Sequence, residues 1–223
     1  MSKEFKARCS RLGALFTAPR SKSELISKTC STYLEEWYIE REFGVRKEMV
    51  SRYTDKGLRL EDQAIEIYNK LFGTNAIKND EFFEDDYIQG TPDLVLDDKI
   101  VDIKCSYSAF SFPLLDKELA NKDYMYQLQG YMRLTGKQSA EIAYFLLDTP
   151  DDIILREAKN IMYKEELPDD FLDIIIEEVR ENHSFEHIPI EKRVKIFYIE
   201  RDENIIKEIE NRVMNCREYI DNI

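Results

Sequence analysis

Three charged residues, Asp93, Asp102 and Lys104, stand in Gly90–Ser106 (GTPDLVLDDKIVDIKCS), where a buried hairpin would carry apolar ones. The stretch reads as two short strands joined at Asp97-Asp98, a polar pair between apolar runs. That turn pairs Leu96 with Lys99, and counting back sets Asp93 directly opposite Asp102. Like charges facing each other destabilise a sheet. Side-chain alternation puts Asp93, Asp102 and Lys104 on one face and Leu94, Val101 and Ile103 on the other, so one face is expected to be core and the other chemistry. Two carboxylates forced together need a cation between them, and hard oxygen ligands suit Mg²⁺ or Mn²⁺. Phosphodiester hydrolysis uses this inventory: carboxylates holding one or two divalent ions, and a nearby cation to orient water or offset charge. Lys104 fits orientation and charge stabilisation better than general-base work, because neighbouring carboxylates raise a lysine's pKa.

Other residues bear on the same chemistry. Glu61 falls in line with Leu58, Ile65, Tyr68 and Phe72 on a helix, so it is expected on a buried face, where a carboxylate is costly unless paired or metal-bound. The structural alternative is that Glu61 sits at the edge of the stripe and reaches water. Gln127 and Tyr131 share a helix face and could be core hydrogen-bond partners or could hold a phosphate or a lysine. Near the N-terminus Arg8, Ser10, Arg11 and Thr17 are phosphate donors, with a solvated basic arm as the bland alternative. His183 and His187 lack a third ligand and precede Pro189, which disfavours a zinc site.

Several elements must position these groups. Ser23 is the expected N-cap of a helix over 24–43 that Gly44 ends, and a second helix covers 56–72, with Leu60, Ala64, Ile67, Tyr68 and Leu71 facing a sheet. Strands are expected over 76–79, 81–88, 93–96 and 100–105, then a helix over 121–134. Residues 140–147 (AEIAYFLL) read as a central strand with two apolar faces. Beyond Pro150 the chain turns acidic, with helices near 169–180 and 203–220 around an edge strand at 194–199.

The 223 residues fit one domain: a helical N-terminal segment to residue 55, a core over 56–147 and an acidic C-terminal part over 148–223. The net charge is -13, yet residues 1–28 carry seven Lys/Arg against Glu4 and Glu24, so a local basic surface is compatible with an acidic chain. That balance argues against indiscriminate coating of DNA. Four scattered cysteines suggest free thiols, and no glycine-rich phosphate loop supports an ATP-driven function. With no membrane-length apolar run and no signal-peptide start, a soluble cytoplasmic protein is expected.

T-P-D at Thr91–Asp93 followed by D-I-K at Asp102–Lys104 resembles the PD-(D/E)XK nuclease motif. The K-G-x-x-x-E of Lys56–Glu61 and the Q-L-Q-G-Y-M-R-L-T-G of Gln127–Gly136 resemble the lambda-exonuclease and YqaJ-like phage recombination nucleases, and Q-x-x-x-Y is similar to that of RecB-like nucleases. The resemblance, over roughly residues 8–147, implies an α/β (α+β) restriction-endonuclease-like core, a central mixed β-sheet flanked by helices. It also implies Mg²⁺-dependent, 5′-to-3′ digestion of linear double-stranded DNA, a single-strand annealing partner and a toroidal trimer. It assigns metal binding to Asp93, Asp102 and the Ile103 carbonyl, with Glu61 binding through the ion or its water, service of the nucleophile to Lys104, and support of the site or scissile phosphate to Gln127. Arg11–Gly13 with Thr17 is similar to the family's 5′-phosphate entry segment; Arg8 competes with Arg11 for that role, and Thr91 supplies a further hydroxyl. Asp102 stands where relatives often carry glutamate, one methylene longer. The cysteines do not match the iron–sulfur pattern of some relatives, so no cluster is expected. Two other readings use the same scaffold: a non-catalytic DNA-end-binding module and a restriction-type endonuclease.

Overall fold

The structure, a computed structural model, describes residues 4–21, 24–47 and 52–222; Ser23, the expected helix cap, lies outside them. The chain opens with strand β1 (Ala7–Arg8), a 3-10 turn (Cys9–Arg11) and the short helix α1 (Leu12–Leu15). Helix α2 (Lys28–Phe43) starts later than its expected boundary, because Ser27 is the cap and its hydroxyl accepts from the Cys30 amide at 3.0 Å. It ends at Gly44, whose φ of 63° suits a residue without a Cβ. Helix α3 (Arg52–Phe72) follows.

Strands β2 (Phe83–Glu84) and β3 (Ile88–Gly90) join β1 in a small sheet of order β1-β3-β2. The expected strand at 76–79 is instead an irregular segment whose Asn79 donates to the Asp93 and Pro92 carbonyls. The main sheet has the order β4-β5-β6-β7, formed by β4 (Leu94–Val95), β5 (Lys99–Cys105), β6 (Ser139–Phe145) and β7 (Val194–Glu200). Helix α4 (Lys122–Thr135) crosses from β5 to β6, which run parallel, while β4 and β7 are antiparallel to their neighbours. The acidic region holds α5 (Asp151–Lys164), α6 (Leu172–His183) and α7 (Glu203–Asp221). Helix α5 was not anticipated; its opening acids, Asp151 and Asp152, complement the positive end of the helix dipole. Among the described residues no helix is long and apolar enough to cross a membrane.

Both faces of the main sheet are core, which corrects the expected division into a core face and a chemical face. Ile100 and Ile142 pack with Leu12, Leu34, Met132 and Val213, whereas Leu94, Val101, Ile103 and Phe145 pack with Leu60, Ala64, Ile65 and Tyr68 of α3. The chemistry is confined to the end of β5. Strand β6 is also less apolar than it read: buried Glu141 accepts from the Tyr68 hydroxyl at 2.7 Å and from Lys99 Nζ at 2.5 Å.

Candidate active site

The hairpin has the register that its turn dictates. Leu94 pairs with Val101 and Val95 with Ile100, and the Leu96 amide donates to the Lys99 carbonyl at 2.9 Å. Continuing that register by one residue sets Asp93 across from Asp102. Asp93 Oδ2 accepts from the Ile103 amide at 2.7 Å, which fixes its carboxylate against the neighbouring strand. Asp102 is wholly buried; its Oδ1 accepts from Gln127 Nε2 at 2.7 Å and its Oδ2 lies 2.5 Å from Lys104 Nζ. Lys104 also lies over the Tyr124 ring, 5.0 Å from its centroid. Burial pulls the lysine's pKa down, but the Asp102 and Asp93 charges outweigh it and the net shift is upward. The shift favours the charged form of the lysine. Burial first, and the Asp102 charge second, push Asp93 up to about 7, so this pair of acids is short of positive charge even beside Lys104.

Helix α4 carries the groups that steady Asp102. Gln127 donates to Asp102 and, at 3.3 Å, to the Tyr131 hydroxyl. Tyr131 is buried, so its expected contact with DNA is corrected to support of Gln127 from behind. Tyr131 in turn lies against Gly90, where an added Cβ would meet its Cε1 at 2.8 Å and the Cys9 Cβ at 3.2 Å. Glycine is what lets β3, α4 and the Cys9–Arg11 turn approach so closely.

Glu61 reaches the site region from α3 on the edge of the helix stripe, since Leu58 and Phe72, expected on a buried face with it, are exposed. Its Oε1 pairs with Lys78 Nζ at 3.1 Å. Lys78 sits in the segment that Asn79 ties to the hairpin, and nothing in the sequence marked it. Lys56, only a weak signal in the sequence, is wholly buried. Its Nζ donates to the Tyr107 carbonyl at 3.0 Å and lies near the Tyr107 and Phe185 rings, and burial depresses its pKa to about 8. It ties the helix bearing Glu61 to the loop that follows β5. His183 is buried against Thr149, with Nδ1 and Oγ1 3.0 Å apart, while His187 is exposed.

The N-terminal donors divide. Arg8, Ser10 and Arg11 line one cavity of about 90 Å³ with Tyr33, Glu36, Trp37, Glu40 and Lys47, so Arg8 and Arg11 are neighbours in one site and not alternatives. Thr17 does not line it: its hydroxyl donates to the Ala14 carbonyl at 2.7 Å and is bonded to Ser27. Thr91 is exposed, outside the cavity lining. Gly13 belongs to the packing of this segment, because a Cβ there would fall 2.1 Å from Asp123 Oδ1 at the start of α4.

The donor set at the hairpin fits a hard divalent cation. Asp93, Asp102 and the Ile103 carbonyl are all oxygen donors, and Asp102 Oδ2 is buried with no hydrogen bond of good geometry beyond its close ion pair with Lys104. Glu61 is turned to Lys78, and among the described residues no three His, Cys, Asp or Glu side chains converge as a ready-made ligand group.

An Asp-x-Lys at the end of a central strand, an acid on the paired strand, an acid on the preceding helix and Gln-x-x-x-Tyr on the crossover helix define a PD-(D/E)XK nuclease fold. No protein-family model matches the sequence, and no curated protein matches it. Among solved structures, the chain is similar to a phage related exonuclease from Haemophilus somnus 129PT, at 29% identity and a TM-score of 0.78 over 98% of this chain and 95% of that one. It also shares the fold of the alkaline exonuclease LHK-Exo from Laribacter hongkongensis, at 17% identity and a TM-score of 0.67 over 97% and 92% of the two chains. The structure of LHK-Exo in complex with dAMP matches at 18% identity and a TM-score of 0.64, again over 97% and 92%. These neighbours, phage-related and alkaline exonucleases, are consistent with a PD-(D/E)XK exonuclease family.

Proposed function

We propose that the protein is a metal-dependent exodeoxyribonuclease that digests linear double-stranded DNA from a 5′-phosphorylated end in the 5′-to-3′ direction, in phage-type recombination. The observation that carries this reading is the junction at Asp102: a buried carboxylate gripped by Gln127 on one oxygen and Lys104 on the other, across the hairpin from a cation-deficient Asp93.

Each side chain has a definable task. Gln127, backed by Tyr131, fixes the rotation of the Asp102 carboxylate, and the Ile103 amide does the same for Asp93. Lys104, held over Tyr124, presents a permanent positive charge to the scissile phosphate and a donor to the attacking water. Asp93, Asp102 and the Ile103 carbonyl would hold Mg²⁺ or Mn²⁺, joined by Glu61 directly or through water. When bound, the ion supplies charge stabilisation at the phosphate and a more acidic water. Arg8, Ser10 and Arg11 receive the terminal 5′-phosphate in the N-terminal cavity. A homo-trimer and a single-strand annealing protein are the assemblies that the family resemblance favours.

The test is digestion of linear duplexes labelled at either end, with and without a 5′-phosphate, in Mg²⁺ and in EDTA. Loss of the 5′ label first, only with Mg²⁺ and faster from phosphorylated ends, is expected. Cleavage of closed circular DNA would favour an endonuclease, and binding without turnover an end-binding module.

A further inference from the structure

Two of the four cysteines meet in the core from opposite ends of the chain. Cys30 Sγ and Cys216 Sγ lie 3.6 Å apart across a sequence separation of 186 residues, and both are buried free thiols. Cys30 stands in the first turn of α2, where its amide donates to the Ser27 hydroxyl, and Cys216 stands on the face of α7 that packs against it. The hydrogen bond from the Cys216 thiol holds Cys30 below the ordinary thiol range, against the opposing effect of burial and with the Arg212 guanidinium assisting. The start of a helix biases a thiol the same way. Cys216, the partner that keeps its proton, is pushed up. Cys9 and Cys105 lack this bias: burial pushes both up, Cys105 to about 12. The pair thus sets a sulfur with thiolate character against a second thiol in contact with it. A cavity of about 400 Å³ lies between the two helix ends, lined by Ser27, Lys28 and Ser31 around the turn of Cys30 and by Tyr219, one turn beyond Cys216. Arg20 and Lys28 bring two positive charges to it against Glu24.

We propose that Cys30 and Cys216 are a redox-modification site, oxidised by a low-molecular-weight disulfide to an intrachain disulfide that staples α7 to α2. The Cys30 thiolate attacks one sulfur of the small disulfide, which forms a mixed disulfide and expels one small thiolate. That thiolate takes up the proton that Cys30 gave to solvent. Cys216 then loses its proton and attacks the Cys30 sulfur, and the second small thiol leaves. Two protein thiols are oxidised by two electrons and one small disulfide is reduced to two thiols. A disulfide that carries carboxylates, as glutathione disulfide does, suits the positive balance of the adjoining cavity. The bridge closes a loop of nearly the whole chain, the case in which a cross-link removes most freedom from the unfolded state. It also joins the two helices that hold the N-terminal segment. From α2 the Tyr33 hydroxyl accepts from the Arg8 amide at 2.9 Å; from α7 Arg212 donates to the Leu15 carbonyl at 3.1 Å and Arg217 to the Phe5 carbonyl at 3.0 Å.

The experiment incubates the full chain, folded, with oxidised or reduced glutathione, then alkylates it with iodoacetamide in denaturant and maps the peptides by mass spectrometry. After oxidation, Cys9 and Cys105 should be alkylated and Cys30 and Cys216 should appear in one joined peptide pair. The oxidised protein should melt at least ~4 °C above the reduced one. Cys216→Ser should stop at a glutathione adduct on Cys30 and show no such rise. Four alkylated thiols in the oxidised wild-type protein would overturn the proposal, as would a bridge that includes Cys9 or Cys105, or glutathione left on Cys30 with Cys216 present. A Cys30–Cys216 bridge without a rise in melting temperature would overturn the staple. Cys30→Ser is the reciprocal variant and should take up no glutathione at Cys216; the wild-type peptide map decides the matter even where a variant folds poorly.

Discussion

The hairpin site and the N-terminal cavity solve opposite electrostatic problems. At the hairpin, acids are crowded onto backbone positions that the sheet register fixes, and the deficit is of positive charge: Asp93 is pushed up to about 7 despite Lys104 beside it. In the cavity, Arg8 and Arg11 sit on a two-residue strand and a 3-10 turn, and their charge is already answered by Glu36 and Glu40 from a separate helix. The first arrangement is fixed by strand pairing and carries an excess of acid. The second is a set of exchangeable ion pairs. Reaction chemistry tolerates little misplacement, so it belongs on the central strand, while recognition can be built from side chains that re-pair.

The sharpest way to break this contrast is to remove charge from the hairpin. Asp102→Asn keeps the shape and the buried position but deletes the anion, and turnover on linear duplex should fall by at least ~10²–10³-fold with a retained melting transition. Lys104→Ala should do the same. Normal digestion by either variant would show that this carboxylate–lysine pair is not the reacting centre. A smaller effect is expected in the cavity. Arg8→Ala removes a charge-assisted contact worth about 1.5–3 kcal/mol, which should raise KM for phosphorylated ends by roughly 10–100-fold while kcat on saturating DNA changes little. An equal loss in kcat would mean that the two regions do not divide the work as described.

The two regions also differed in how far they could be read from the sequence. The hairpin was legible because alternation and a turn fix which residues face each other; Asp97-Asp98 set the register, and Asp93, Asp102 and Lys104 followed. Gln127 and Tyr131 were legible as a helix-face pair, but not the direction of their service, since Tyr131 turned out to be buried backing. The cavity was half legible. Arg8, Ser10 and Arg11 stood out by composition, whereas nothing singled out Glu36 and Glu40, because pairing across 25 or more residues leaves no local pattern. Glu61 was placed on the right helix, but of its four assigned companions only Ile65 and Tyr68 are buried while Leu58 and Phe72 are exposed, a limit of reading one apolar stripe when several fit. Lys56 was underweighted because long charged residues are rarely wholly buried, and only tertiary packing shows that this one is.

Lys56 offers a prediction that separates stability from chemistry. Its pKa is depressed from 10.5 to about 8 mainly by burial, so between those values the folded protein binds fewer protons than the unfolded chain. Stability contributed at this position is therefore low below about pH 8 and rises as pH climbs toward 10.5. The full span corresponds to about 3 kcal/mol. Lys56→Met should flatten that rise, measured as the difference between wild-type and variant denaturant midpoints from pH 7 to pH 10. Parallel pH profiles for the two proteins would show that the lysine is not held at a cost to its charge.

The smallest change tests whether the regions are mechanically separate. Gly90 lies at their seam, with Tyr131 on one side and Cys9, at the start of the turn bearing Ser10 and Arg11, on the other. Its backbone is not in the left-handed region, so Gly90→Ala is acceptable to the strand itself and the effect is steric. The new methyl, 2.8 Å from the Tyr131 ring, must move either that ring or the turn. Moving the ring disturbs Gln127 and through it Asp102; moving the turn shifts the arginines of the cavity. Overpacking of this kind costs about 1–3 kcal/mol, read by denaturant unfolding. The informative measurement is the kinetic one. If the ring yields, kcat falls while the preference for 5′-phosphate ends is kept; if the turn yields, the preference falls while kcat is kept. A fall in both means that the ring and the turn move together, and that the rigid site and the exchangeable one share a single support.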